Sequence, residues 1–411
     1  MMHSPQKKDF ILGRYFSAWS TGKIPYVTGL SRDEHVQRAV EANLFTEDEL
    51  RWLNETPTNN DSFVRSFETR ITGNKPSVGF LQQSLAKVGG IESWNRMMFR
   101  GLTDVDIAGL VITGQKAIES EGIGVPIGFG YDDAKALANR VDVLVVSNEF
   151  GLVHLFKDAQ RKPKVVFVHH GDVTCALSGR AVLTQAGCID VLAGVHPATG
   201  NRFADVIPRT EYMPNAVDPR RCEPESVDMT RERVRKIVGI PEDAKVVLFS
   251  GRFTADKGYH LARAIGERLP NDIFMVMMGG DADGNFPQIR FVGKQRWPGT
   301  WYRAADIGIS TSPEEGAGLS MMEMIYSRLP LVATRRGIVA AQPEIARVMA
   351  DDATVTDWIS AIIDELSNPD RVRRRVAIAS SVVAHHYSFE RFAKAWNRLL
   401  VEVAGASATV R

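Results

Sequence analysis

Pro313-Glu314-Glu315-Gly316-Ala317-Gly318-Leu319-Ser320-Met321-Met322-Glu323-Met324-Ile325-Tyr326-Ser327-Arg328-Leu329-Pro330-Leu331-Val332-Ala333-Thr334 runs from a glycine-bearing loop through an apolar helical period into a short strand. Gly316 and Gly318 leave the backbone free to approach a ligand. Apolar residues at 319, 322, 325, 326 and 329 start a helix whose first amides have no internal partners. Those amides and the helix dipole favour an anion such as a diphosphate. Glu323 lies four residues after Leu319, and helical side chains lean back towards the N-terminus, so its carboxylate reaches a ligand seated on the helix end. A phosphate repels a carboxylate, so ribose or hexose hydroxyls are its natural partners. The run predicts a site for a sugar attached to a phosphate, formed by Glu315, Gly316, Gly318, Leu319 and Glu323.

Outward from this run the chain alternates short β-rich segments with helical patterns, the signature of parallel α/β units. Strands are predicted at 78–81, 106–112, 141–146, 164–168 and 190–195, and a second set at 245–250, 273–278, 289–292, 306–310 and 331–334. The polar stretch from Pro219 to Ser226 reads as a linker between the sets. The economical arrangement is two Rossmann-like domains facing one central cleft, because open parallel sheets bind ligands at their strand C-termini. Four regions result: a helical N-terminal extension over 1–75, a first domain over 76–222, a second over 223–384, and a C-terminal helix over 385–411. Capping-box pairs at Ser31 with Glu34 and Thr46 with Glu49 support helices in the extension, which either braces the first domain or shapes an acceptor pocket.

Composition narrows the function classes. Lys plus Arg number 50 against 49 acidic residues, so no global field attracts nucleic acid or anionic lipid. The three cysteines, Cys175, Cys188 and Cys222, have neither the number nor the spacing of a disulfide framework or zinc site, which points to a reducing cytoplasm. No apolar run reaches transmembrane length and the N-terminus lacks a signal-peptide core, leaving peripheral membrane contact open.

Three further segments carry chemistry. Ser250-Gly-Arg-Phe-Thr-Ala-Asp-Lys-Gly258 follows a strand and precedes a helix beginning near Tyr259, so Arg252 and Lys257 share one loop at a sheet edge. A planar guanidinium and a mobile ammonium together neutralise a diphosphate without a metal. Val88-Gly-Gly-Ile-Glu-Ser-Trp94 follows the first strand, and its paired glycines, Gly90 among them, permit close backbone approach to a phosphate or sugar. His169-His170-Gly-Asp172 sits at a strand end, where functional groups of α/β folds collect. Adjacent histidines cannot chelate one metal as an i, i+4 pair can, so no metal site is expected.

The four motifs, in order over roughly residues 76–403, resemble those of family 4 of the retaining, nucleotide-sugar-dependent glycosyltransferases with the GT-B fold. The resemblance rests on the two glutamates eight positions apart, the Gly-Arg and Lys-Gly pairs, the Gly-Gly-x-Glu loop, and the strand-then-histidine motif. It implies a nucleoside diphosphate sugar as co-substrate and no further cofactor. It implies that Arg252 and Lys257 hold the diphosphate, that Glu323 holds ribose, and that Glu315 faces the donor hexose. It makes His170, rather than His169, the histidine facing the donor, and it implies that the last helix, around 387–396, crosses back onto the first domain. Glu315, His170, Arg252 and Lys257 are then the catalytic set, and the donor-binding set adds Gly90, Gly316, Gly318, Leu319 and Glu323. The acceptor stays open among a glycan, a glycolipid, a small molecule and a modified nucleic acid base.

Two departures from the pattern stand out. Ala216 replaces the usual glycine in Pro214-Asn-Ala-Val-Asp218, and the segment 281–290 is too short and breaker-rich for the helix usually found there, which leaves the nucleotide base unassigned. Competing readings are an epimerase or phosphorylase on the same donor, or a non-catalytic sugar-nucleotide-binding protein. A dehydrogenase is disfavoured because no Gly-x-Gly-x-x-Gly follows the first strand.

Overall fold

A computed structural model describes residues 42, 66, 68–84, 90–115, 124–147, 151–156, 162–171 and 176–408. The helical extension expected over 1–75 lies almost wholly outside the described residues, as do Val88, Gly89, Asp172 and Cys175. The chain divides into two compact units, one of residues 1–213 with 393–411 and one of residues 214–392.

The first unit is built on β1 (Ser77–Ser84), β2 (Asp106–Gln115), β3 (Ile127–Phe129), β4 (Val143–Ser147), β5 (Lys164–His169), β6 (Val191–Gly194) and β7 (Thr210–Tyr212). Their order is β3-β2-β1-β4-β5-β6-β7, with all pairings parallel. Central strands such as β4, Val-Leu-Val-Val-Ser, are buried along their whole length, as parallel strands covered on both faces must be. The helix Phe389–Ala408 belongs to this unit from Ala393 onward. Trp396 meets Trp94 edge to face at 5.4 Å, and the Asn397 carboxamide accepts from the amides of Thr103 and Asp104 while donating to the Gly101 carbonyl.

The second unit holds β8 (Lys245–Ser250), β9 (Ile273–Met278), β10 (Ile289–Phe291), β11 (Ile307–Ser310), β12 (Leu331–Thr334) and β13 (Arg347–Met349), in the parallel order β10-β9-β8-β11-β12-β13. Alternation along β8 splits the core in two. Val246 and Leu248 pack with Met321, Met322 and Ile325 of the helix Leu319–Tyr326, whereas Val247 and Phe249 pack with Tyr259, Ile265 and Trp358. All ten predicted strands form, and the helix Leu319–Tyr326 starts where its period placed it. No helix joins β9 to β10, as the breakers in 281–290 implied.

Two details differ from expectation. β3, β7 and β13, three residues each at or beside sheet edges, are too short to display a period. The stretch read as a linker is folded: Pro219–Cys222 makes one helical turn, started by Pro219 and capped by the Asp218 carboxylate, which accepts from the Arg220 amide. The helix Val355–Ser367 opens on a reciprocal capping box formed by Thr354 and Asp357.

In each sheet the strand order reverses beside the unit's first strand, between β1 and β4 and between β8 and β11. Crevices for ligands in open parallel sheets form at such reversals, outside the strand C-termini. Among the described residues no helix is long and apolar enough to cross a membrane.

Candidate functional site

In the second unit the loops leaving β8 and β11 flank the reversal, and they carry Arg252 with Lys257 and Glu315 respectively. The structure joins them: the Lys257 ammonium lies 2.7 Å from Glu315 Oε1, with side chains 22% and 11% exposed. The Ser312 hydroxyl donates to the same oxygen at 3.1 Å. Two backbone approaches hold this pair in place. Gly258 adopts φ 64°, and a Cβ there would lie 2.0 Å from the Thr311 carbonyl oxygen. Its tightness lets the Thr311 hydroxyl donate to the carbonyls of Gly258 and Lys257 at 2.9 and 3.3 Å, locking the two loops together.

The Glu315 loop is also pinned from β12 and the residues after it. The Thr334 hydroxyl donates to the Ser312 carbonyl and Arg336 Nε to the Pro313 carbonyl, both at 2.6 Å, and the Ile338 amide donates to the Ala317 carbonyl at 3.0 Å. Gly337, at φ 53°, makes this approach feasible, since a Cβ there would meet the Ala317 oxygen at 2.8 Å. Sequence reasoning missed these supports. Their signal was Arg335-Arg336-Gly337 immediately after the strand, where a glycine follows two cations.

Gly318, at φ 76°, is the N-cap of Leu319–Tyr326 and has no side chain to cap the amides. The first bond the helix makes is from the Met322 amide to the Gly318 carbonyl, so the amides of Leu319, Ser320 and Met321 precede it. Gly316 is buried next to Glu315 and keeps a negative φ. Arg252 stands apart: its guanidinium is 63% exposed and bonded to Asp256 at 2.7 Å. Such an exposed i, i+4 pair is worth at most about 1 kcal/mol, so Arg252 leaves Asp256 readily for a stronger anion.

Glu323, one turn into the same helix, is a second centre. Its side chain is 5% exposed, and Oε1 accepts from Arg221 Nε at 2.6 Å while Oε2 accepts from the Tyr302 hydroxyl at 2.7 Å. Burial lowers the Arg221 pKa, but attraction to Glu323 and the hydrogen bond outweigh that and leave it above its ordinary value. Burial, then the charge of Glu323, pushes the Tyr302 hydroxyl well above its ordinary value, so it stays a donor. Neither partner was foreseen: Arg221 lies in the expected linker, and Tyr302 lies beside Trp301 in an aromatic pair that burial in the core accounts for.

In the first unit, Gly90 is exposed and opens the helix Gly90–Gly101 after β1. His170 follows β5, half-buried, with Nε2 3.1 Å from the hydroxyl of Ser147 at the end of β4 and its ring edge-on to Trp94 at 5.1 Å. Burial, reinforced by neighbouring His169, lowers its pKa to about 3, so His170 is neutral near pH 7. His169 is fully buried and packs on Phe203. Of the two histidines, His170 is the accessible one. Among the described residues no group of His, Cys, Asp or Glu is arranged to hold a metal ion.

Residues 244–368 match the family described as Glycosyl transferases group 1, a stretch that contains Arg252, Lys257, Glu315 and Glu323. D-inositol 3-phosphate glycosyltransferase from Corynebacterium urealyticum is 31% identical over 191 residues, 40% of this chain and 44% of that protein. The protein of the same name from Corynebacterium jeikeium is 29% identical over 222 residues, 47% of this chain and 52% of that one. The chain thus spans about half the length of the curated relatives it matches. HepE from Anabaena, solved with UDP and glucose, superposes with a TM-score of 0.66 at 14% identity, covering 80% of this chain and 100% of that one. Sucrose-phosphate synthase from Thermosynechococcus elongatus gives 0.65 at 15% identity over 81% of this chain and 100% of that one. The fold, two parallel α/β sheets with a helical C-terminal region, is that of the GT-B glycosyltransferases.

Proposed function

From a second unit that carries the group 1 glycosyltransferase match on a GT-B fold, we propose that the protein is a retaining, metal-independent glycosyltransferase that moves a sugar from a nucleoside diphosphate sugar to an acceptor hydroxyl. One observation carries this reading: the Lys257–Glu315 pair bridges the two loops at the strand-order reversal, beside the uncapped amides of Leu319–Tyr326. A cation, a carboxylate and a helix N-terminus at one point suit a ligand that is anionic at one end and hydroxylated at the other.

The donor diphosphate offers Lys257 a second anion. As Lys257 turns to it, the Glu315 carboxylate is released towards the transferred sugar, where it stabilises positive charge developing at the anomeric carbon. Lys257, Arg252 and the amides at Leu319 stabilise the charge developing on the leaving phosphate, commonly the largest contribution in such a step. Glu323 holds the ribose. His170 belongs to the first unit, where it is neutral and held by Ser147. The structures of HepE solved with UDP and with UDP-glucose support a nucleotide-sugar ligand for this fold.

A thermal-shift panel of UDP-, GDP- and ADP-sugars tests the proposal, because a ligand that binds the native state raises the melting temperature by mass action. At least one donor should raise it, and transfer or slow hydrolysis of that donor should persist in EDTA. Absence of any shift across the panel, or activity abolished by EDTA and restored by a divalent ion, overturns the reading.

A further inference from the structure

Glu323 is a buried carboxylate whose two oxygens are each claimed by one protein donor, and the surrounding backbone is built to bring those donors there. The Asp218-capped turn Pro219–Cys222 presents Arg221, and the helix Gly299–Ala304 presents Tyr302. The two elements touch backbone to backbone. A Cβ on Gly299 would lie 2.3 Å from the Cys222 carbonyl carbon and 2.3 Å from the Glu223 carbonyl oxygen. The Thr300 hydroxyl accepts from the Glu225 amide at 3.0 Å, closing the same contact. The Cys222 thiol reaches the Glu323 carbonyl at 3.8 Å, so the turn is fastened to the glutamate's own helix as well.

A carboxylate oxygen has two acceptor sites, so one remains on each oxygen of Glu323 after Arg221 and Tyr302 are counted. Two acceptor sites on a rigid, planar group match two adjacent hydroxyls. Stability alone is a weak reason for such a network, because a buried ion pair is commonly replaceable by apolar residues at little or no loss. We propose that Arg221 and Tyr302 are positioning residues that fix the Glu323 carboxylate, from opposite oxygens, in the orientation that accepts both vicinal hydroxyls of the donor's ribose.

The inference rests on the donor reading above, and its test separates the two. UDP, GDP and ADP are titrated calorimetrically into wild type, and the tightest binder is compared with its 2′,3′-dideoxy form in wild type, Tyr302→Phe and Arg221→Lys. Tyr302→Phe removes one hydroxyl and leaves the ring, so its fold should persist; Arg221→Lys keeps the charge and loses the fixed fork. Both variants should bind the ribonucleotide about tenfold more weakly, the scale of one hydrogen bond to a charged group, and the dideoxy form within about twofold of wild type. If Arg221→Lys fails to fold, Tyr302→Phe decides alone. Equal losses for both ligands would make the network purely structural, and no loss for either would remove it from binding. Wild type that binds the two forms equally takes ribose away from Glu323. Wild type that binds none of the three nucleotides overturns the donor reading and this inference with it.

Discussion

Replacing Gly258 by alanine isolates what the close approach of two loops contributes. Two effects add. A side-chain-bearing residue at φ 64° costs about 1 kcal/mol in the left-handed region. The new Cβ would also stand 2.0 Å from the Thr311 carbonyl oxygen, where ordinary contact begins at 3.4 Å, so the loops must part by over 1 Å. Parting them breaks the hydrogen bonds from the Thr311 hydroxyl to the carbonyls of Gly258 and Lys257, worth about 1 kcal/mol each. The sum is about 3 kcal/mol. Gly239 provides an internal control, since it has φ 65° and, among the described residues, nothing within 4 Å of its Cβ position, so Gly239→Ala should cost only the backbone share, about 1 kcal/mol. Urea denaturation of both variants measures the difference of about 2 kcal/mol, and hydrogen exchange at the amides of β8 and β11 shows where it falls. Equal losses in the two variants would refute the argument that Gly258 is chosen for contact as well as for conformation.

Two further expectations follow from the site. Lys257→Ala should lower kcat/KM by a factor of 100–1000, about 3–4 kcal/mol of transition-state stabilisation, while Arg252→Ala, lacking an ordered partner beyond its exposed pair, should lose less; steady-state kinetics on a donor from the panel decides, and wild-type turnover in Lys257→Ala would count against the clamp. His170, with its pKa lowered to about 3 against about 6.5 unfolded, binds fewer protons folded than unfolded between those values; its contribution to stability is therefore complete above about pH 6.5 and is lost as pH falls, at up to about 1.4 kcal/mol per unit. Urea midpoints of wild type and His170→Gln from pH 7 to 4.5 should converge as pH falls, and parallel curves would contradict the shift.

The legible features were those whose physics is local. Continuous apolar runs announced β4, β5, β8 and β9, and an apolar period announced Leu319–Tyr326 with Gly318 before it. Lys257 and Glu315 were readable as residues of one site because each stands just past a strand end, though their direct pairing was not. The partners of Glu323 were illegible for a different reason. Arg221 lies 102 residues away, in a breaker-rich stretch whose only local meaning is a turn, and Tyr302 sits in an apolar pattern that burial explains completely. Long-range hydrogen bonds leave no periodic trace, and neither do the three-residue strands β3, β7 and β13.

The first unit draws its last helix from beyond the second, and this orders events at the ribosome. Residues 214–392 form an unbroken stretch and can complete their own core while the chain is still being made. Trp94 and the carbonyl of Gly101, by contrast, receive Trp396 and Asn397 only after nearly three hundred further residues have been synthesised. Until then the helix Gly90–Gly101 stands with a bare apolar seam, even though it emerged first. Vectorial synthesis therefore finishes the two units in the reverse of their order in the gene, and the interval during which that seam is uncovered is when the nascent chain is most open to chaperones and to aggregation.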